Sequence, residues 1–157
     1  PLLALAASLE IFLGSPISKF WVSIFPFFAE PSGFALGPVL ESSEVQTQLV
    51  GAWGVLGLLF VSALFNTVLG EEFLFRGVLL PRMKRVFGRW DWVANGVLMG
   101  AYHFHQPWGI LNGIIVSAFL FALPSRHFKS TWMGIIVHSG QSVFFLVLML
   151  GLVLGLA

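Results

Sequence analysis

The sequence contains no cysteine, which excludes disulfides, thiolate zinc sites and cysteine nucleophiles at once. It is also poor in charge: Lys, Arg, Asp and Glu together make up 10% of its 157 residues. An ordinary soluble domain carries about 25%. A water-soluble protein of 17.3 kDa needs a polar coat that this chain cannot supply, and neither a disordered tail nor a collagen-like fibre has such a composition. The formal net charge of +1 provides no global field to draw a nucleic acid. What the chain does have is apolar: 57% hydrophobic residues and a mean hydropathy of +0.92. The expected fold is therefore all-α, a polytopic transmembrane helical bundle. No repeat, low-complexity tract or domain boundary divides residues 1–157, which read as a single membrane-embedded domain. A chain that opens on Pro1 reads as a piece of a longer protein, with its N-terminus truncated.

The spans follow from where charge is missing. Residues 2–13 are apolar with one acid, Glu10, and residues 17–28 are apolar but short, with Pro16 and Pro26 as breaks. Each fits a truncated span, an interfacial helix or a core helix. Residues 29–48 hold two Pro, two Gly and the acids Glu30, Glu41 and Glu44, and read as a loop; Ser42 or Ser43 is placed to cap the helix that follows. Residues 49–70 are uncharged throughout, which predicts a transmembrane helix. The helical pattern continues past Glu71 and Glu72 to Leu80, with a kink expected at Gly70. Residues 81–91, carrying Arg82, Lys84, Arg85 and Arg89, read as a basic loop.

From Trp92 to Ser125 there is no Lys, Arg, Asp or Glu. One helix of that length would run about 50 Å against a hydrocarbon core of about 30 Å, so it must fold back. The break is offered at Gln106-Pro107-Trp108-Gly109, giving a hairpin of 92–105 and 108–123. A second basic loop follows with Arg126, His127 and Lys129, and residues 131–157 form the last span. With two passes between them, both basic loops lie on one side. The positive-inside rule makes that side cytoplasmic and turns 29–48 outward.

Ionisable side chains inside spans are costly and mark function. Counting from the basic loops, Glu71 lies roughly 15 Å deep, His103 roughly 18 Å and His138 roughly 14 Å. Three helices thus place a carboxylate and two imidazoles at one level. Glu72 and Arg76 stand at i and i+4 with the acid first, the better order for a pair, so Glu72 reads as structural. Glu71 is turned about 100° away and lacks that partner, which suits it to general-base work. His138 and Ser142, also i and i+4, can both address one substrate oxygen or both make interhelical hydrogen bonds. His105 sits beside Pro107, where the helix should end, and ranks below His103.

These residues resemble a family. Glu71-Glu72-Phe73-Leu74-Phe75-Arg76-Gly77 is similar to the EExxxR(G) motif of the CPBP family of type II CAAX prenyl endopeptidases and bacteriocin self-immunity proteins. Met99 to His103 stands where that family has FxxxH, with Met for Phe. His138 to Ser142 stands where it has HxxxN, with Ser for Asn. The motif-bearing region runs from about residue 49 to the C-terminus. The resemblance implies a glutamate-dependent, metal-independent intramembrane endopeptidase. In it Glu71 and His103 activate water, His138 and Ser142 stabilise the oxyanion, and Glu72 and Arg76 support them. It implies no cofactor, a peptide or lipidated protein as substrate, and a bacterial plasma membrane, with the active site opening to the cytoplasmic side.

Three other readings stand beside it. Zinc held by Glu71, His103 and His138 is a minor alternative, since helical HExxH spacing is absent. A non-catalytic membrane partner or immunity protein can keep the same fold. A transporter also places polar groups at midplane, although the chain is short and lacks a duplicated half.

Overall fold

The computed structural model describes residues 14–156, so the expectation for residues 2–13 lies outside the described residues. Helix α1 (Ser15–Ile24) opens with Pro16 in its first turn, where a missing N–H costs no bond. At ten residues it is about half as long as a membrane crossing. It packs against the middle of the chain, and Trp21 Nε1 donates to the Pro107 carbonyl at 2.9 Å.

The stretch 29–48, expected as a loop, contains two short helices, α2 (Leu36–Glu41) and α3 (Ser43–Leu49). Pro38 falls in the first turn of α2, where proline is tolerated, and Ser42 is extended (φ −66°, ψ 123°) and separates the two. Ser42 occupies the capping position of α3, but its hydroxyl makes no capping bond; Glu44 in the first turn complements the helix dipole instead.

Gly51, at φ 76°, turns the chain into α4 (Trp53–Ala63), and its N–H is held by the Val153 carbonyl at 2.9 Å. The helix then widens into a π-helical segment, Leu64–Leu79, and narrows again as α5 (Leu80–Phe87). The expected basic loop at 81–91 is thus largely helix. Pro81 lies where the π segment passes into α5, and the helical backbone runs through it without the N–H that proline lacks. The reversal comes later, at Gly88–Trp90, where Gly88 adopts φ 56° and ψ −120°, a conformation open to glycine alone. The second basic loop is likewise shorter than expected. Leu123–Phe128 is helical, and the turn is left to Lys129, in the left-handed region, and Ser130.

The hairpin breaks where the sequence offers a break. Helix α6 (Asp91–Tyr102) ends three residues before the expected point, and a short 3₁₀ turn at Pro107–Gly109 leads into α7 (Ile110–Val116). A second π segment, Ser117–Ala122, joins α7 to α8 (Leu123–Phe128), and α9 (Thr131–Val153) closes the chain. Gly96 and Gly100, one turn apart on α6, let its backbone touch the returning arm. A methyl group at Gly96 would overlap Ala118, and one at Gly100 would overlap Ile114. Asp91 and Arg126 clasp the same two arms with an ion pair of 2.7 Å.

All described elements are helices. The helical stretches Trp53–Tyr102, Pro107–Phe128 and Thr131–Val153 are long and apolar enough to cross a membrane, and the first makes its return at Gly88–Trp90. The distribution of polarity is that of a membrane protein. Leu58 (70%) and Phe144 (72%) are widely exposed, whereas Glu72, Asn95, Asp91 and Ser117 are among the most deeply buried side chains. A small apolar core of Val116, Leu120, Phe121 and Val137 packs beside those polar groups.

Candidate active site

Two adjacent glutamates on the π segment point into the bundle and meet different partners. Glu72 is fully buried; its Oε1 accepts from Arg76 Nη1 at 3.0 Å and faces His138 Nδ1 at 2.9 Å. Arg76 also donates through Nη2 to the Ser117 hydroxyl at 2.5 Å, and its guanidinium lies over the ring of Phe121, 5.2 Å from the centroid. The second oxygen of Glu72 rests against Gly134 on α9, where any side chain would collide with it. Glu72 therefore ties the π segment to α9, and Arg76 extends the tie to the second arm of the hairpin.

Glu71, only 4% exposed, meets the two imidazoles. Its Oε1 accepts from Asn66 Nδ2 at 2.9 Å and lies 3.6 Å from His103 Nε2. Its Oε2 lies 3.7 Å from His138 Nε2. Both separations exceed hydrogen-bond length, yet they suit one water molecule bonded at about 2.8 Å to the carboxylate and to either ring. Three elements supply these groups: the π segment, the C-terminal end of α6 and the first half of α9.

The outer nitrogens determine what the inner ones can do. His103 caps α6, and its Nδ1 lies 2.9 Å from the Met99 carbonyl. A carbonyl only accepts, so Nδ1 carries the proton and Nε2 turns a lone pair toward Glu71. His138 Nδ1 faces the Glu72 carboxylate, which likewise holds a proton on that nitrogen. Phe121 stacks on the His138 ring at 4.8 Å with an interplanar angle of 16°, fixing its plane. His103 (31% exposed) and His138 (16%) border a cavity of 940 Å³. Its wall continues past Gln141 and Asn112 to α1, where Ser18 and Lys19 face it, and to the Gln106–Gly109 turn.

The family model for type II CAAX prenyl endopeptidase Rce1-like proteins matches residues 52–144, more than half of the chain. The chain belongs to the Rce1-like family of type II CAAX prenyl endopeptidases. The match takes in Glu71, Glu72, Arg76, His103, His138 and Ser142 together. No curated protein and no solved structure matches the chain. It is thus an integral membrane protein of a peptidase family.

The structure gathers Glu71, His103 and His138 around one point and sets Glu72 and Arg76 directly behind them. The Ser142 hydroxyl is 3.2 Å from Thr67 Oγ1, one turn farther along α9, and Gln141 borders the cavity in its stead. His105 is exposed, its ring 5.6 Å from that of His103. Sequence reasoning passed over Asn66, Ser117 and Gln141, because it searched the spans for ionisable groups and left neutral polar ones aside. Asn66 was findable, since five residues before Glu71 is one turn of a π-helix.

Proposed function

We propose that the chain is an intramembrane endopeptidase that hydrolyses a peptide bond of a membrane-associated peptide or protein by glutamate-activated water. One observation carries this reading: the Glu71 carboxylate lies 3.6 and 3.7 Å from the Nε2 atoms of two imidazoles that border a large cavity. In the proposed reaction a water held by Glu71 and His103 loses its proton to the carboxylate as its oxygen bonds to the scissile carbonyl carbon. The carbonyl oxygen takes the negative charge and is stabilised by His138 in its imidazolium form, Glu72 holding Nδ1–H while Nε2–H donates to the oxygen. Collapse breaks the C–N bond, and the proton on Glu71 passes to the leaving amine. Glu72 and Arg76 set the position of His138 and touch no substrate. No metal or cofactor enters this scheme.

By the positive-inside rule the end bearing Arg82, Lys84, Arg85 and Lys129 faces the cytoplasm, in a bacterial plasma membrane. The lining of the cavity by Lys19, Trp108 and Gly109 favours access from the opposite end, rather than the cytoplasmic opening expected from the family resemblance. A non-catalytic reading, as a membrane partner or immunity protein, draws support from Ser142, whose hydroxyl is engaged with Thr67.

The test is cleavage of a panel of membrane-anchored peptides, prenylated and unprenylated, by the protein in liposomes, with Glu71→Gln and a chelator as controls. Hydrolysis that needs Glu71 and survives chelation is expected. Hydrolysis that Glu71→Gln leaves intact would sink the mechanism, and loss on chelation would move it to a metal. Binding of a peptide without turnover would favour the partner reading.

A further inference from the structure

A second cavity lies at the basic end of the bundle, lined by neither Glu71 nor the imidazoles that face it. It measures 470 Å³ and opens between α5, α8 and the first turn of α9. Lys84, Arg126, His127 and Lys129 border it, with the hydroxyl residues Ser130 and Thr131 beside them. The one acid on its wall, Asp91, is already engaged. Its Oδ1 lies 2.7 Å from Arg126 Nε and accepts from the Trp92 N–H at 2.8 Å. Arg76, which also borders it, is paired with Glu72. Among the described residues no carboxylate lies within ion-pair distance of Lys84 or Lys129. Two ammonium groups from different elements thus share one concavity with no carboxylate paired to either.

The backbone adds to that field. Helix α9 begins at Thr131 on the cavity wall; Ser130 makes no side-chain capping bond, and Ser125 Oγ accepts from the N–H of Gly134, so the N–H groups of Thr131 and Trp132 leave the positive end of a 23-residue helix directed there. Lys129 adopts φ 50° and ψ 40°, a single left-handed residue that turns the chain from α8 into α9. Ammonium and guanidinium groups, hydroxyls and helix-terminal N–H groups are the donors that bind phosphate oxygens.

The surroundings indicate where such a phosphate would come from. Val86 (77% exposed), Phe87 and Trp90 flank α5, and Phe128 and Trp132 flank the α8–α9 turn, all exposed. A basic concavity rimmed by exposed aromatic and aliphatic side chains is what the headgroup level of a bilayer calls for. We propose that this cavity binds a phosphate-bearing anion, supplied in the membrane by the headgroup of an anionic phospholipid, through Lys84, Arg126, Lys129 and the start of α9. The proposal is independent of the protease reading, and its readout is binding alone.

The test is thermal melting of the full chain in a zwitterionic detergent, titrated with phosphatidylglycerol, phosphatidylcholine or inorganic phosphate. Phosphatidylglycerol is expected to raise the melting temperature and phosphatidylcholine to leave it unchanged. The paired substitution Lys84→Gln and Lys129→Gln should weaken that binding by about thirtyfold, at about fivefold per lysine near a membrane surface. Both lysines are exposed and unpaired, so the variant should fold; a single Lys129→Gln replaces it if it does not. Arg82→Gln with Arg85→Gln removes the same charge from α5 at residues that do not line the cavity, and should retain binding. If inorganic phosphate reproduces the effect and the lysine variant loses it, the cavity stands and its ligand is soluble. No anion-dependent shift, or an equal loss in the two double variants, would overturn the proposal.

Discussion

His138 Nδ1 lies 2.9 Å from Oε1 of Glu72, the same oxygen that accepts the Arg76 guanidinium at 3.0 Å. A single buried carboxylate oxygen therefore joins Arg76, which ties the helices together, to His138, which borders the large cavity. Substitutions at Glu72 should register twice, in melting and in turnover. Glu72→Gln leaves Arg76 as a buried charge without its counter-ion and should cost about 3–5 kcal/mol, as should Arg76→Ala by the converse route. Unchanged melting of both in detergent would remove the structural role assigned to the pair.

Glu71→Gln should behave differently. Glu71 accepts from Asn66 and, among the described residues, pairs with no lysine or arginine, so a neutral amide replaces it at little cost to folding. Hydrolysis should fall by about 10²–10⁴, the usual contribution of a general base, while melting stays within a few degrees of the parent. An undiminished rate would show that Glu71 does not activate the water.

Ser142→Ala distinguishes the motif from the geometry. The motif places the residue at the oxyanion, whereas the hydroxyl sits 3.2 Å from Thr67. The geometry predicts a loss of about 0.6 kcal/mol, the average for an interhelical hydrogen bond in a membrane, and turnover within about threefold of the parent. A loss of two orders of magnitude in kcat with unchanged melting would restore Ser142 to the reaction.

Gly134→Ala should be among the most damaging single-methyl changes. The added carbon meets Glu72 Oε2 and comes to 3.2 Å from Ser125 Oγ. Overpacking of about 1–3 kcal/mol is expected, together with loss of activity, because the displaced group is the one that orients His138. Parental melting and turnover would show that Glu72 can swing aside.

The absence of cysteine allows a direct test of sidedness. Lys84→Cys and Lys19→Cys, each the sole thiol, mark the basic end and the cavity wall near α1. A membrane-impermeant maleimide should label Lys84→Cys from the cytoplasmic side and Lys19→Cys from the other. Labelling of both from one side would contradict the assignment of the cavity mouth.

Much of this was legible in the sequence, for reasons that differ by residue. The hairpin at Gln106–Gly109 followed from length against bilayer thickness, with proline and glycine marking the break. Depth counting brought Glu71, His103 and His138 to one level, and the i,i+4 rule paired Glu72 with Arg76, because helical rise is regular enough to survive a change of helix type. The basic loops were overestimated because charge was read as irregular backbone, whereas α5 and α8 carry their cations on helices. The bond from Glu72 to His138 could not be read, since it joins residues 66 positions apart and depends on how the π segment meets α9. The close contact of Gly96 and Gly100 with the returning arm was available as a small-xxx-small pattern that charge-based reading ignores.

The division of labour between Glu71 and Glu72 has a consequence for how such a protein can diverge. The residue proposed for catalysis forms no ion pair with Arg76, and Glu72, which anchors the network, does not line the cavity. A single change at the first glutamate would therefore silence the chemistry while the cavity and the bundle persist. On this scaffold the proposed catalyst and a bundle that keeps its cavity without the chemistry would lie one substitution apart.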